Sequence, residues 1–146
     1  MEMARGDMQL IGVLVIAVIL SSCAHGSNAV NVGDLDLPTT VNLQVGQSIL
    51  LSDVDASITF DATVIDNRSI GSNGVVVGNA YISIHVHSSS GPTASYHLNT
   101  AEGPQEADWD RYRIRLVDLN PVPGAGIIFS RGAYVATIEI SLLGLL

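Results

Sequence analysis

The sequence has very few of the residues on which several common kinds of protein chemistry depend. Its 146 residues include one cysteine and no lysine, and all six basic residues are arginines. One cysteine cannot form an intrachain disulfide, a CxxC redox motif or a cysteine-rich metal knuckle. The absence of lysine removes P-loop and Schiff-base lysine chemistry from this chain. With 14 acidic residues and a net charge of -8, the sequence gives no electrostatic support for nucleic-acid binding.

One apolar run stands apart from the rest of the sequence. Residues 10–20 read LIGVLVIAVIL, and Arg5 lies shortly before them. Spanning a bilayer takes about 20 apolar residues, so this run is too short to cross a membrane. It has the length of the apolar region of an export signal that follows a positively charged start. We therefore expect residues 1–22 to be a signal peptide.

The lone cysteine lies directly after this run. The segment LSSC, residues 20–23, resembles the lipobox of bacterial lipoproteins, in which the cysteine is acylated and becomes the mature N-terminus. The resemblance implies lipidation of Cys23 and attachment to a membrane, and Ala24, being non-acidic, favours the outer membrane where the envelope has one. The alternative is ordinary secretion with cleavage after AHG, residues 24–26, which gives a soluble secreted or periplasmic protein.

The remaining chain predicts a tether followed by one all-β domain. Residues 23–39 are short, polar and interrupted by Pro38, as a tether is, and residues 40–146 form the domain. Its apolar residues alternate with polar ones at Val41, Leu43, Ile58, Phe60, Ala62, Val64, Ala80, Ile82, Ile84, Val86, Tyr112, Ile114, Leu116, Tyr134, Ala136, Ile138 and Ile140. Alternation with frequent turn residues predicts an antiparallel, immunoglobulin-like β-sandwich of about seven to eight strands, or alternatively a small β-barrel. Residues 67–74 and 102–110 are predicted to be loops.

Four segments together carry a second resemblance: VGQ at 45–47, DNRS at 66–69, GNA at 78–80 and YRIRLVDLNP at 112–121. They resemble a β-sandwich domain of uncharacterised function that occurs in bacterial secreted proteins and lipoproteins. Its usual pattern has DSRCP at the second segment and a further cysteine before WAGNA, which implies a disulfide across the central loop. Ser69 stands here in place of the first of these cysteines. The resemblance implies export and a sandwich fold, and it brings no activity with it.

Three histidines form a candidate metal site. His85 and His87 lie two residues apart, which places them on one face of a strand. If residues 88–93 form a hairpin turn, we expect His97 to lie opposite His85 on the returning strand. Three imidazoles on one face suit a zinc or copper site. The alternative interpretations are solvent-facing polar positions without a ligand, or a pH-sensitive patch.

Three arginines form a candidate anion or partner site. Arg111, Arg113 and Arg115 alternate along one strand and therefore share a face. Their planar guanidinium groups suit a carboxylate, a phosphate or an acidic glycan. The alternative is that they pair across the sheet with carboxylates such as Glu139.

No pattern in the sequence indicates a catalytic nucleophile. The GxSxG motif is absent, and the cysteine belongs to the export signal. The sequence therefore favours a non-catalytic, lipid-anchored binding module outside the cytoplasm, with an envelope protein or a glycan as its partner and no cofactor. Two alternatives stay open: a zinc or copper protein, or metal-dependent enzyme, using the three histidines, and a purely structural envelope protein.

Overall fold

The computed structural model describes residues 29–32, 37–91, 93–124 and 129–144, and it confirms the prediction of an all-β fold. The strands are β1 (Ala29–Asn31), β2 (Thr39–Gln44), β3 (Ser48–Leu51), β4 (Ala56–Asp66), β5 (Ser69–Ile70), β6 (Val76–Val77), β7 (Ala80–Ser88), β8 (Ala94–Asn99), β9 (Glu106–Trp109), β10 (Tyr112–Asn120) and β11 (Val135–Leu142). One turn of 3-10 helix, Arg131–Ala133, precedes the last strand. In the described ranges, no helix is long and apolar enough to cross a membrane.

The strands form two main sheets and one small one. The first sheet has the order β1-β3-β4-β7-β8, the second has the order β2-β11-β10-β9, and β5 pairs only with β6. The two main sheets stay separate, so the described residues form the predicted sandwich and not the alternative small barrel. Within the main sheets, β3-β4-β7-β8 and β9-β10-β11 run back and forth between neighbouring strands, whereas β1 pairs with β3 and β2 pairs with β11. This strand order differs from that of the ABED and CFG sheets of constant immunoglobulin domains.

The core lies between the two main sheets, on the apolar side of each strand. Side chains that face one side of a strand recur every second residue. The inward residues predicted for β10 and β11 are buried without exception: Tyr112, Ile114, Leu116, Tyr134, Ala136, Ile138 and Ile140. Full burial of an aliphatic or aromatic side chain stabilises a fold by about 1.5–3 kcal/mol. Packing between the sheets therefore holds this cysteine-poor domain together.

Two β-bulges interrupt the alternation. In β4 the register shifts between Phe60 and Val64, and Ala62 is exposed although the alternation predicts it on the core side. In β10 the register shifts between Leu116 and Asp118. An extra residue on one strand reverses the side to which the following residues point. Leu119 is consequently the next buried residue of β10.

One end of the predicted tether belongs to the sandwich. β1 pairs in parallel with β3, with Ala29 opposite Ser48. Val32, which follows β1, is only 3% exposed and packs in the core. The tether predicted over residues 23–39 is therefore wrong for residues 29–32. The reason is the pairing of β1 with β3, which brings Val32 into the core despite the polar composition of the segment.

A second strand replaces a predicted loop. β9 falls within residues 102–110, which the sequence predicts to be solvated, and it pairs antiparallel with β10. Ala107 and Trp109 pack against the core, whereas the acidic side chains of Glu106 and Asp108 face solvent. The acidic composition hid this alternation. Together with β1 and the short pair β5 and β6, β9 brings the number of strands above the predicted seven to eight.

Candidate functional site

The predicted lipidation site, Cys23, lies outside the described residues, which begin at Ala29. The described residues include the three candidate histidines and the three candidate arginines. They also include an exposed apolar surface that strand alternation does not predict.

The three histidines are exposed on the outer face of the first sheet, as predicted. The register differs from the prediction: His97 lies opposite Ser83, and His85 lies opposite Ser95. The returning strand is therefore displaced by two residues from the predicted pairing. Its apolar side, with Tyr96 opposite Ile84, still faces the core, because a shift of two residues preserves the face.

Each histidine has a different neighbour. The His85 Nε2 atom lies 3.7 Å from a carboxylate oxygen of Asp61. The His87 Nδ1 atom lies 3.3 Å from the hydroxyl of Thr93, and the His97 ring lies 5.5 Å from the Tyr81 ring. Among the described residues, no group of three or more His, Cys, Asp or Glu side chains is arranged to hold a metal ion.

The arginines pair with carboxylates. Arg113 makes two hydrogen bonds to Asp108, at 2.8 and 3.1 Å, and a further contact with Glu106 at 3.4 Å. Arg115 lies 4.0 Å from Glu139, the cross-strand partner considered from the sequence. The hydrogen bond from Arg113 lowers the pKa of Asp108 below its ordinary value. The charge of these two arginines is thus largely offset at short range.

A shallow cleft of about 450 Å³ lies over the same face of β10 and β11. Arg113, Arg115, Glu106 and Glu139 line it together with Leu37 and Leu142. Since both signs of charge alternate along the cleft, it does not concentrate positive potential as an anion-binding pocket does.

The third arginine belongs to a different cluster. Arg111 forms an ion pair with Asp53, and the hydroxyl of Tyr112 donates to the same carboxylate at 2.5 Å. This hydrogen bond, followed by the charge of Arg111, lowers the pKa of Asp53. Burial of the Tyr112 ring, and then its contact with Asp53, raises the pKa of the tyrosine. The cluster ties the β3–β4 turn to the start of β10.

The most exposed apolar surface lies on the hairpin of β5 and β6. We call residues 69–77 the apolar hairpin. Ile70 is 53% exposed, Val75 54%, Val76 46% and Val77 50%. Monomeric soluble proteins rarely expose contiguous apolar patches of large area, and such patches commonly mark interaction sites. The apolar hairpin is therefore the candidate functional surface.

The sequence contains a signal for this surface that alternation misses. Three consecutive valines, 75–77, cannot all face one side of a strand, and they lie between Gly74 and Gly78. The short pairing of β5 with β6 leaves them outside both main sheets.

A buried ion pair holds the base of the apolar hairpin. The side chains of Arg68 and Asp66 are only 3% and 4% exposed, and they are joined by hydrogen bonds of 2.9 and 2.7 Å. Arg68 also donates to the carbonyl oxygens of Leu119, at 2.5 Å, and Pro121, at 3.0 Å. Five guanidinium N–H groups in a fixed fork allow one side chain to bind all these acceptors. Arg68 thus joins two segments about fifty positions apart in sequence.

The residues after the hairpin complete this base. Gly78 has φ +89°, and a Cβ atom there would lie 2.4 Å from the carbonyl oxygen of Asn67. The side-chain oxygen of Asn79 accepts from the backbone N–H of Ala101 at 3.0 Å, and its amide donates to Asn99 at 2.9 Å. The residues that resemble the bacterial domain at 66–69 and 78–80, and the last residues of the segment 112–121, therefore meet at one end of the sandwich, where they have structural roles.

Comparisons with known proteins return no significant match to any family model, curated protein or solved structure.

Proposed function

We propose that this protein is a lipid-anchored β-sandwich that acts outside the cytoplasm as a non-catalytic interaction module, with the apolar hairpin as its contact surface. The lipid anchor rests on the apolar run at 10–20 and on Cys23 directly after it. Acyl chains on this cysteine would hold the domain stably at a membrane, since more than one chain gives durable attachment.

The observation that carries the interaction role is the exposure of four neighbouring aliphatic side chains on a firmly held base. Ile70 and the valines at 75–77 are each about half exposed. Arg68 and Asp66 below them are almost completely buried. A patch held in place by buried hydrogen bonds needs little ordering when it meets a partner, which lowers the entropic cost of binding.

The charged side chains of the sandwich suit a scaffold. Arg68, Arg111, Arg113 and Arg115 each pair with a carboxylate of the same chain. The arginine face thus offers an acidic protein or glycan little unpaired positive charge.

The anchor is tested by acylation and fractionation in a bacterial host. The full chain, grown with an alkyne-bearing fatty acid, should carry the label and sediment with membranes. A Cys23→Ser chain should lose the label and leave the membrane fraction, while a Ser22→Ala chain, which keeps a small residue before the cysteine, should retain both. A wild-type chain that is unlabelled and soluble would overturn the proposal. Separation of inner and outer membranes then tests the preference indicated by Ala24.

The alternative function is zinc or copper binding on the histidine face, and one observation favours it. Asp61 lies 3.7 Å from the ring of His85 and supplies a carboxylate that can orient a ligating imidazole. Zinc and copper titration of the full chain distinguishes the two proposals. Tight binding that is lost in a His85→Ala, His97→Ala chain supports the metal function, and weak binding that does not change in this variant contradicts it.

A further inference from the structure

The apolar hairpin lies at one identifiable end of the sandwich. β4 ends at Asp66, and β7 begins opposite it at Ala80. The apolar hairpin occupies the chain between these two residues. We call this end of the sandwich the hairpin end.

β1 has its first residue toward the same end of the sandwich. β3 is antiparallel to β4, so its first residue, Ser48, is nearer the hairpin end than its last residue, Leu51. β1 runs parallel to β3, with Ala29 opposite Ser48. Ala29, the first described residue after Cys23, is therefore the residue of β1 nearest the hairpin end.

The segment between Cys23 and Ala29 is long enough to span the distance from Ala29 to the hairpin end. Five residues, 24–28, separate Cys23 from Ala29. At about 3.3–3.6 Å per residue, an extended chain places Cys23 within roughly 20 Å of Ala29. Ala29 pairs with Ser48, Ser48 with Thr59 and Thr59 with His85, so Ala29 and His85 lie at the same height in the sheet. His85 is five residues from the start of β7, which corresponds to about 17 Å along the strand. An anchor at Cys23 thus reaches the hairpin end with little chain to spare.

The composition of the apolar hairpin suits the interfacial layer of a bilayer. Residues 69–80 contain no charged side chain, so insertion buries no charge. Apolar area that enters the boundary between headgroups and acyl chains adds directly to membrane affinity. Glu102, in the loop before β9, and Asp118, near the end of β10, are exposed at the hairpin end and suit the polar headgroup layer.

We propose that the apolar hairpin docks on the membrane in which the chain's own lipid anchor is inserted. This inference rests on the proposed acylation of Cys23. The anchor and the hairpin then form two attachments at one end of the sandwich, which fixes its orientation. The opposite end, with the β3–β4 turn and residues 89–91, faces away from the bilayer.

A site-directed probe on the acylated full chain tests this arrangement. Cys23 is the only cysteine, so its acylation leaves Val76→Cys as the single free thiol for a polarity-sensitive dye. Val76 is 46% exposed, and the substitution should leave the circular dichroism spectrum unchanged. The matched control is Ser90→Cys, an exposed position at the opposite end. Both chains are reconstituted in phosphatidylcholine vesicles that contain spin-labelled lipid.

We expect the dye at position 76 to shift its emission to the blue and to be quenched severalfold more strongly by spin-labelled lipid than the dye at position 90. Acylated protein that floats with the vesicles while both dyes stay in water would overturn membrane docking and leave the anchor intact. Protein that is not acylated would overturn both proposals. Protection of position 76 in native envelopes but not in pure lipid vesicles would point to a protein partner and also overturn docking on lipid.

Discussion

Arg68 illustrates how much a single residue contributes to this fold. A charged side chain in a segment rich in Asn, Ser and Gly predicts a solvated loop. The structure buries it instead and surrounds it with acceptors: the carboxylate of Asp66 and the carbonyl oxygens of Leu119 and Pro121. Such partners lie far away in sequence, and alternation along one strand carries no information about them. Sequence reasoning therefore identifies the inward aliphatic residues and misses this buried polar centre.

Arg68→Met should be one of the most destabilising charged-to-apolar exchanges in the chain. Removing one partner of a buried ion pair leaves an uncompensated charge, here on Asp66, and typically costs about 3–5 kcal/mol. Arg131→Met, at an exposed position, is the matched control and should change the free energy of unfolding little. Urea denaturation followed by circular dichroism measures both. Equal effects of the two exchanges would show that the Arg68 pair does not stabilise the fold.

The hydrogen bond from Tyr112 to Asp53 makes stability depend on pH. It keeps the pKa of Asp53 below the ordinary value of 3.8. A carboxyl with a lowered pKa in the folded state stabilises the fold above its unfolded pKa, and this contribution is lost as the pH falls through the folded pKa. Because the Asp53 side chain is about half exposed, Tyr112→Phe should cost only about 1 kcal/mol at neutral pH.

Urea denaturation at pH 7 and at about pH 2 measures this dependence, and the Tyr112→Phe effect should shrink at the lower pH. Tyr96→Phe is the control, since the hydroxyl of Tyr96 donates to a backbone carbonyl oxygen and not to a carboxylate. A Tyr112→Phe effect of the same size at both pH values would contradict the assignment.

At the scale of elements, the long alternating strands are predictable and the edges of the sheets are not. The inward residues of β2, β7, β11 and the first part of β10 follow from period two alone. Bulges in β4 and β10 and the edge strands β1 and β9 depend on pairing with distant segments. Composition misleads at both edges, since polar or acidic residues mask a short alternation. The order of the strands depends on which strands pair and which sheet faces pack together. Alternation along a single strand determines neither.

Because β1 belongs to the sandwich, Val32 and Val30 should differ in how much stability is lost when each is replaced by alanine. Val32 is 3% exposed, so Val32→Ala removes two buried methyl groups at a cost of about 1.5 kcal/mol. Val30 is 39% exposed, and Val30→Ala should be close to neutral. Thermal and urea unfolding of both variants measure the difference. Two neutral substitutions would mean that residues 29–32 behave as a tether after all.

Two glycines, one before β6 and one after it, should differ in how much stability is lost when each is replaced by alanine. Both Gly74 and Gly78 have positive φ, so alanine costs about 1–2 kcal/mol at either position for conformation alone. At Gly78 the new Cβ would also lie 2.4 Å from the carbonyl oxygen of Asn67, whereas Gly74 has open space. Gly78→Ala should therefore lower the unfolding midpoint clearly more than Gly74→Ala. Indistinguishable midpoints would contradict the close approach.

At the scale of the whole molecule, the sandwich has two unlike ends. One end carries the apolar hairpin on its buried Arg68 base, and β1 has its first residue toward that end. The other end carries the acidic β3–β4 turn with its Asp53 cluster. The sequence predicts the fold class, but it gives no indication of how the start of β1 lies relative to the apolar hairpin. That relation follows from the parallel pairing of β1 with β3, which only the folded topology provides.

The central claim is that this sandwich works at a membrane, attached through Cys23. The intact mass of the mature protein, purified from the membranes of the expressing bacterium, tests it most directly. We predict a chain that begins at Cys23 and carries a diacylglyceryl group on its sulfur. An unmodified chain that begins at Ser27 would contradict the account.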